Sequence, residues 1–162
     1  MFDFTTTATD KPTLYAELND SLRALVAGEP DPVANMANAA ALIFHGLPDL
    51  NWAGFYRNVD GELVLGPFQG KAACIRIPFG SGVCGAAAAT LKVQRVADVH
   101  AFPGHIACDA ASRSELVVPL VGADGRLIAV LDLDSPLPSR FDAEDEAGCV
   151  VLAQVLTAAL AA

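Results

Sequence analysis

Cations are scarce in this chain: ten lysines and arginines stand against nineteen acids, a formal net charge of −9 over 162 residues. Nucleic-acid binding draws its affinity from a basic face laid on phosphates, and a chain this acidic does not supply one. The same deficit argues against an anionic membrane surface. Long apolar runs are missing too. Although 53% of the residues are hydrophobic, no stretch approaches the roughly 18 uninterrupted apolar residues of a membrane helix. The first residues, MFDFTTTATDKP, carry an acid at Asp3 and lack the basic-then-apolar order of a secretory signal. The expectation is therefore a cytoplasmic protein, whose thiols stay reduced unless they are catalytic or sensing. Metal-ligand spacings such as C-x-x-C and H-E-x-x-H are absent, as are internal repeats and low-complexity linkers. The length suits one domain, 1–162, with a core large enough to do without disulfide staples.

What is present alternates between two periods. Leu14, Leu18, Leu22 and Leu25 recur at helical spacing and predict a helix over 12–27, started near Pro12 or Thr13 and followed by Gly28. A second helix, 32–45, carries Val33, Met36, Ala40, Ile43 and Phe44 on one stripe, with Gly46 as its stop. Short β-like runs follow at 52–57, 62–68, 73–77 and 93–96, punctuated by Asp60-Gly61, Gly66-Pro67 and the turn at 78–82. Asp60-Gly61 between two such runs is a hairpin signal. An Ala-rich stretch, 85–91, reads as a short helix. Strands at 115–121 and 126–134 flank a second hairpin turn, Ala123-Asp124-Gly125. Asp142 then caps a last helix to about 161, turning Val151, Leu152, Val155 and Leu156 inward. Helices over about 12–46, sheet and loops over about 51–135 and a helix over about 142–161 make an α+β domain. Its antiparallel sheet would carry both terminal helical segments on one face.

The chemistry gathers in the middle. Cys74 sits in KAACIRIP, Cys84 in GSGVCG and Cys108 in GHIACDAASRSE, and AVLDLDS supplies Asp132 and Asp134. Thiols beside acids suit redox chemistry in which one sulfur attacks, a second resolves it as a disulfide, and a carboxyl group manages the proton. Cys108, among small residues after His105, reads as a loop sulfur open to activation, against the commoner buried and inert cysteine. Cys84, behind Gly80-Ser81-Gly82 at a helix start, stands where a helix dipole would lower its pKa. Cys149 lies on the apolar face of the last helix and reads as core. Asp132 and Asp134, two apart on a strand, share a face with Ile128 and Val130, while Leu131 and Leu133 face the other way. Glu115 opens its strand just after the turn at 112–114 and alone would read as a solvated residue. Trp52 and Tyr56, four apart in WAGFY, also share a strand face. His100 and His105 read as turn caps before they read as partners of Cys108.

Together, WAGFY, LGPFQGKAACIRIP, GVCG, VADVHAFPGHIACDAASRSE and IAVLDLDS resemble the free methionine-(R)-sulfoxide reductases, stand-alone enzymes of GAF fold that reduce the free amino acid. The resemblance runs from Asn51 to the last helix. Its specificity lies in three cysteine boxes at once, with nine residues between the first two cysteines and twenty-three between the second and third. It implies that Cys108 attacks the sulfoxide sulfur and becomes a sulfenic acid, and that Cys74 closes a disulfide with it. Cys84 would assist or compete in that role. Thioredoxin would be the reductant, with no metal or organic cofactor, and a homodimer would be the assembly. The resemblance also places Glu115, Asp132 and Asp134 around the α-ammonium and sulfoxide oxygen, with Trp52 and Tyr56 as an apolar wall. Crowded carboxylates raise the pKa of at least one of their number, which supplies a neutral acid near neutral pH. The residues leave open which one. Two other readings compete: a non-catalytic GAF module that senses a small molecule, and a metal site built from His100, His105, Cys108 and a further cysteine.

Overall fold

A computed structural model describes residues 2–104 and 110–160. Helix α1 (Lys11–Val26) begins where Asp10 accepts a hydrogen bond from the Thr13 amide at 2.8 Å, and α2 (Pro32–Gly46) begins the same way on Asp31 and Ala34. Each has proline in its first turn, where the missing N–H costs nothing. Strands β1 (Trp52–Val59) and β2 (Glu62–Gly70) follow, then the short β3 (Arg76–Pro78), α3 (Gly82–Thr90) and β4 (Gln94–Val96). A single 3-10 turn at Val99–Ala101 precedes β5 (Ser114–Val121), β6 (Leu127–Ser135) and α4 (Ala143–Leu160). The sheet order is β3-β2-β1-β6-β5-β4, antiparallel at every pairing. Among the described residues, no helix is long and apolar enough to cross a membrane.

Two cores lie on the two faces of this sheet. On one, α1, α2 and α4 cover Ala53, Phe55, Leu116, Val118, Leu120, Leu131 and Leu133. On the other, α3 lays Val83, Cys84, Ala87 and Ala88 against Trp52, Tyr56, Leu63, Val117 and Val130. The alternation of each strand therefore feeds both cores, and the chemistry-bearing residues take the α3 side. The expected terminal helices on a common face are found, and the expected helix at 85–91 starts three residues earlier, so that Cys84 belongs to its first turn.

Four local expectations change. Gly66-Pro67 is no turn: β2 runs through it with a bulge against β1, where Gly54 pairs with Phe68 but Tyr56 with Leu65. Ile128 leaves the face of Val130, because β6 bulges there: Leu120 pairs with Ala129 and Val121 with Leu127, so Leu127 takes the inward place. Gly46 remains in the last turn of α2, and a side chain there would collide with Leu18 and Phe4; the glycine serves packing, not termination. The strand expected at 73–77 shrinks to Arg76–Pro78. The Asp60-Gly61 hairpin is as expected, with φ of 53° and 86° at its two central residues, the left-handed pair such a tight turn needs.

The chain ends are tied by a buried polar knot. Asp145, fully buried, accepts from Tyr15 Oη at 2.9 Å, Lys11 Nζ at 2.6 Å and Arg140 at 3.1 Å, and so joins α1 to α4 across 130 residues of sequence. Asp142 caps α4 through the amides of Glu144 and Asp145. The Tyr15 ring lies flat against Gly148, leaving no space for a methyl group. Gly148→Ala should therefore cost about 1–3 kcal/mol by overpacking, net of the roughly 1 kcal/mol that a better helix former returns. Urea unfolding tests this, and an unchanged midpoint would show that the α1–α4 seam is looser than described.

Candidate active site

The site is a consequence of register. Trp52 pairs with Asp134, Asp134 pairs with Glu115, and two residues along the next rung holds Gly54, Asp132 and Val117. Three carboxylates and an indole thus meet on the α3 face, brought by β1, β5 and β6. Gly54 makes this possible: any side chain there would strike Phe68 and the Trp52 ring. Across it, Trp52 stacks between Phe68 (centroids 5.3 Å, 13°) and Tyr56 (5.9 Å, 22°). Sequence reading gave Trp52 and Tyr56 but missed Phe68 and Gly54. Their signal was the hairpin partnership of β1 with β2, which becomes usable only once the bulge is placed.

The two aromatic residues also hold the segment 71–75. Trp52 Nε1 donates to the Lys71 carbonyl at 3.1 Å, and Tyr56 Oη donates to the Cys74 carbonyl at 3.0 Å. Cys74 is half-buried and disulfide-bonded, whereas Cys84 and Cys149 are free thiols. Between the ring stack, residues 71–73, Asp132 and Asp134 lies a small cavity of about 20 Å³, room for roughly one water. Larger clefts of about 430 to 450 Å³ run along the helices and contain none of the expected site residues.

Behind the cavity the protons are crowded. Cys84 Sγ donates toward Glu115 Oε1 at 3.8 Å, and Glu115 and Asp132 are hydrogen-bonded to each other. Burial, with Asp132 and Asp134 close by, pushes the Glu115 pKa well above its ordinary value, so the pair favours keeping a proton. Burial raises Asp132 to about 6, although hydrogen bonds from Cys84 and Glu115 act the other way. Burial and the same carboxylates push the Cys84 thiol up. This overturns the expectation of a dipole-lowered Cys84: desolvation and three acids outweigh one helix turn. Cys84 is a neutral donor here. Asp132 Oδ1 is buried without a hydrogen-bond partner, an unspent acceptor at the cavity wall.

Elsewhere, His100 is exposed in the 3-10 turn and its amide bonds Asp98 Oδ1, in keeping with a structural place. Cys149 is fully buried beside Tyr15, its thiol pushed up to about 12 by burial. Cys108 and His105 lie outside the described residues.

An antiparallel sheet with terminal helices on one face and a cluster of acids, aromatics and a thiol on the other is the arrangement of a GAF domain. The GAF-domain family profile matches residues 33–161. Over 94% of this chain and 92% of its own, the free methionine-R-sulfoxide reductase of Escherichia coli is 55% identical. The structure of the Neisseria meningitidis free methionine-R-sulfoxide reductase, in complex with its substrate, superposes with a TM-score of 0.93 at 46% identity, over 99% of this chain and 96% of that one. A Burkholderia vietnamiensis protein described as a GAF sensor superposes at 0.90 with 60% identity, over 92% and 94%. This chain belongs to the free methionine-R-sulfoxide reductase family.

The raised Asp132 pKa has a consequence for stability. Between the unfolded value of 3.8 and about 6 the folded chain binds the extra proton, so this group's contribution to stability falls as pH rises through that window. Asp132→Asn should therefore gain on the wild type by about 1–3 kcal/mol between pH 4.5 and 7.5 in urea unfolding. Parallel curves over that range would mean that Asp132 titrates normally.

Proposed function

We propose that this chain reduces free L-methionine (R)-S-oxide to methionine by thiol chemistry. The observation that carries the reading is the buried, hydrogen-bonded Glu115–Asp132 pair beside the Trp52 stack, next to a cavity whose wall is tied to a disulfide-bonded Cys74. A sulfoxide is a poor electrophile until its oxygen is hydrogen-bonded or protonated, and Glu115 is a carboxyl group kept neutral for that purpose. Asp134 and the ionised share of Asp132, with its free Oδ1, suit the α-ammonium, and the indole suits the S-methyl group.

In this scheme Cys108 attacks the sulfoxide sulfur. The oxygen, protonated through Glu115, passes to Cys108 as a sulfenic acid, and methionine leaves. Cys74 then attacks the sulfenic sulfur, forming the disulfide and releasing the oxygen as water. Two electrons and two protons from a reductant dithiol restore both thiols. Cys74 is favoured over Cys84 as the resolving sulfur, because Cys84 is a buried, protonated donor to the acids. Thioredoxin suits the reductant role: Ile75, 71% exposed beside Cys74, offers a dithiol protein an apolar contact at the bond it must reduce. The same reading carries a cytoplasmic location, no resident cofactor and a homodimer.

The test is NADPH consumption with thioredoxin and thioredoxin reductase, offering separated R and S epimers of free methionine sulfoxide. Turnover with R alone, lost at least 100-fold in Cys108→Ser, is expected, and Glu115→Gln should slow the reductive half-reaction by about 10- to 1,000-fold. If neither epimer is turned over, with thioredoxin or with dithiothreitol, the sensing reading takes the place of this one. Ile75→Asp should raise the KM for thioredoxin while leaving dithiothreitol-driven turnover intact.

A further inference from the structure

We propose that the acid–thiol cluster is also a zinc-class metal site, and that a divalent ion held by Cys84, Glu115 and Asp132 inhibits the enzyme. The Cys84 sulfur and one carboxylate oxygen each from Glu115 and Asp132 lie within 4.8 Å of one another, and all three side chains are buried. They come from α3, β5 and β6, three elements locked by the second core. In a tetrahedral zinc site, bonds of about 2.0–2.3 Å place neighbouring ligand atoms about 3.3–3.5 Å apart. Cys84 Sγ and Glu115 Oε1, at 3.8 Å, are already close to that. Side-chain shifts that close separations of at most 4.8 Å would complete the set. Within it, Asp132 Oδ1 is buried and has no hydrogen-bond partner, an acceptor left open for a ligand.

The donor set selects the ion. One sulfur and two oxygens suit zinc and its neighbours, whereas magnesium and calcium prefer all-oxygen shells of six or more. Binding displaces the thiol proton of Cys84 and the carboxyl proton of Glu115, so affinity should rise with pH. The cluster keeps these protons because its negative charges repel one another and are buried; a dication offsets both effects. An ion there occupies the acids needed by the substrate, and it requires neither Cys74 nor any disulfide to be reduced. The inhibition half of the proposal rests on the proposed reductase activity. The binding half does not.

The experiment uses the whole chain, EDTA-treated and kept oxidised, so that Cys74 stays in its disulfide and Cys84 is the thiol in question; Cys149 is fully buried away from the site. Cobalt(II) titration should give one equivalent with a thiolate-to-metal charge-transfer band, and zinc should displace it. Cys84→Ser should abolish the band, and Glu115→Gln should weaken binding at least tenfold without removing it; circular dichroism shows that each variant is folded. In turnover assays zinc should raise the apparent KM for methionine sulfoxide, reversibly with EDTA. Absence of stoichiometric binding to the oxidised wild type, or a band that survives in Cys84→Ser, overturns the site. Binding without an effect on KM overturns the inhibition. A chain that binds cobalt yet never turns over substrate would instead sink the reductase reading.

Discussion

Trp52, Asp134 and Glu115 stand in line because β1, β6 and β5 pair in one register, and nearly every feature of the site follows from that pairing. Side chains on a strand alternate faces, so a slip of one residue would send Asp132 and Asp134 into the helix-covered core and bring Leu131 and Leu133 to the cavity. The two cores hold the register from opposite sides: Leu131 and Leu133 have the terminal helices, and Val130 has α3. Packing therefore holds carboxylates where electrostatics alone would drive them apart.

That enforced proximity is the source of the chemistry. Burial and mutual repulsion raise the proton affinity of Glu115 and Asp132 together, with the Cys84 thiol donating toward Glu115. An isolated glutamate on the surface would be a carboxylate at neutral pH and useless as an acid. The aromatic stack supplies dryness on one side and, through the Lys71 and Cys74 carbonyls, fixes the segment that bears the disulfide-bonded Cys74. Apolar wall and disulfide segment are thus one hydrogen-bonded unit, with Asp132 and Asp134 against it across the small cavity.

Much of this was legible from residues alone. Strand alternation put Trp52 with Tyr56 and Asp132 with Asp134, and Asp142 was expected as a cap; Asp10 and Asp31, which cap α1 and α2, were not. The illegible parts depend on pairing. The bulges at Gly66-Pro67 and Ile128 are set by the partner strand, and no local residue type announces them. Glu115 carried no signal because burial, not its neighbours in sequence, changes its proton affinity. Cys84 misled for the same reason: a helix start predicts a lowered pKa only if the sulfur keeps some solvent and has no acids opposite. The zinc-class donor set is invisible to spacing rules, since its three members lie 31 and 17 residues apart on separate elements.

The knot around Asp145 has a bearing on how the protein is made. Tyr15 and Lys11 leave the ribosome long before their partner does, and α2 covers only part of the apolar face of α1 until α4 has been synthesised. Contacts of such sequence separation slow folding and lengthen the life of sticky intermediates. The last helix is therefore the closing step, and a nascent chain arrested short of Asp145 would be a client for chaperones, with its reductase machinery already translated but its first helix still unmoored.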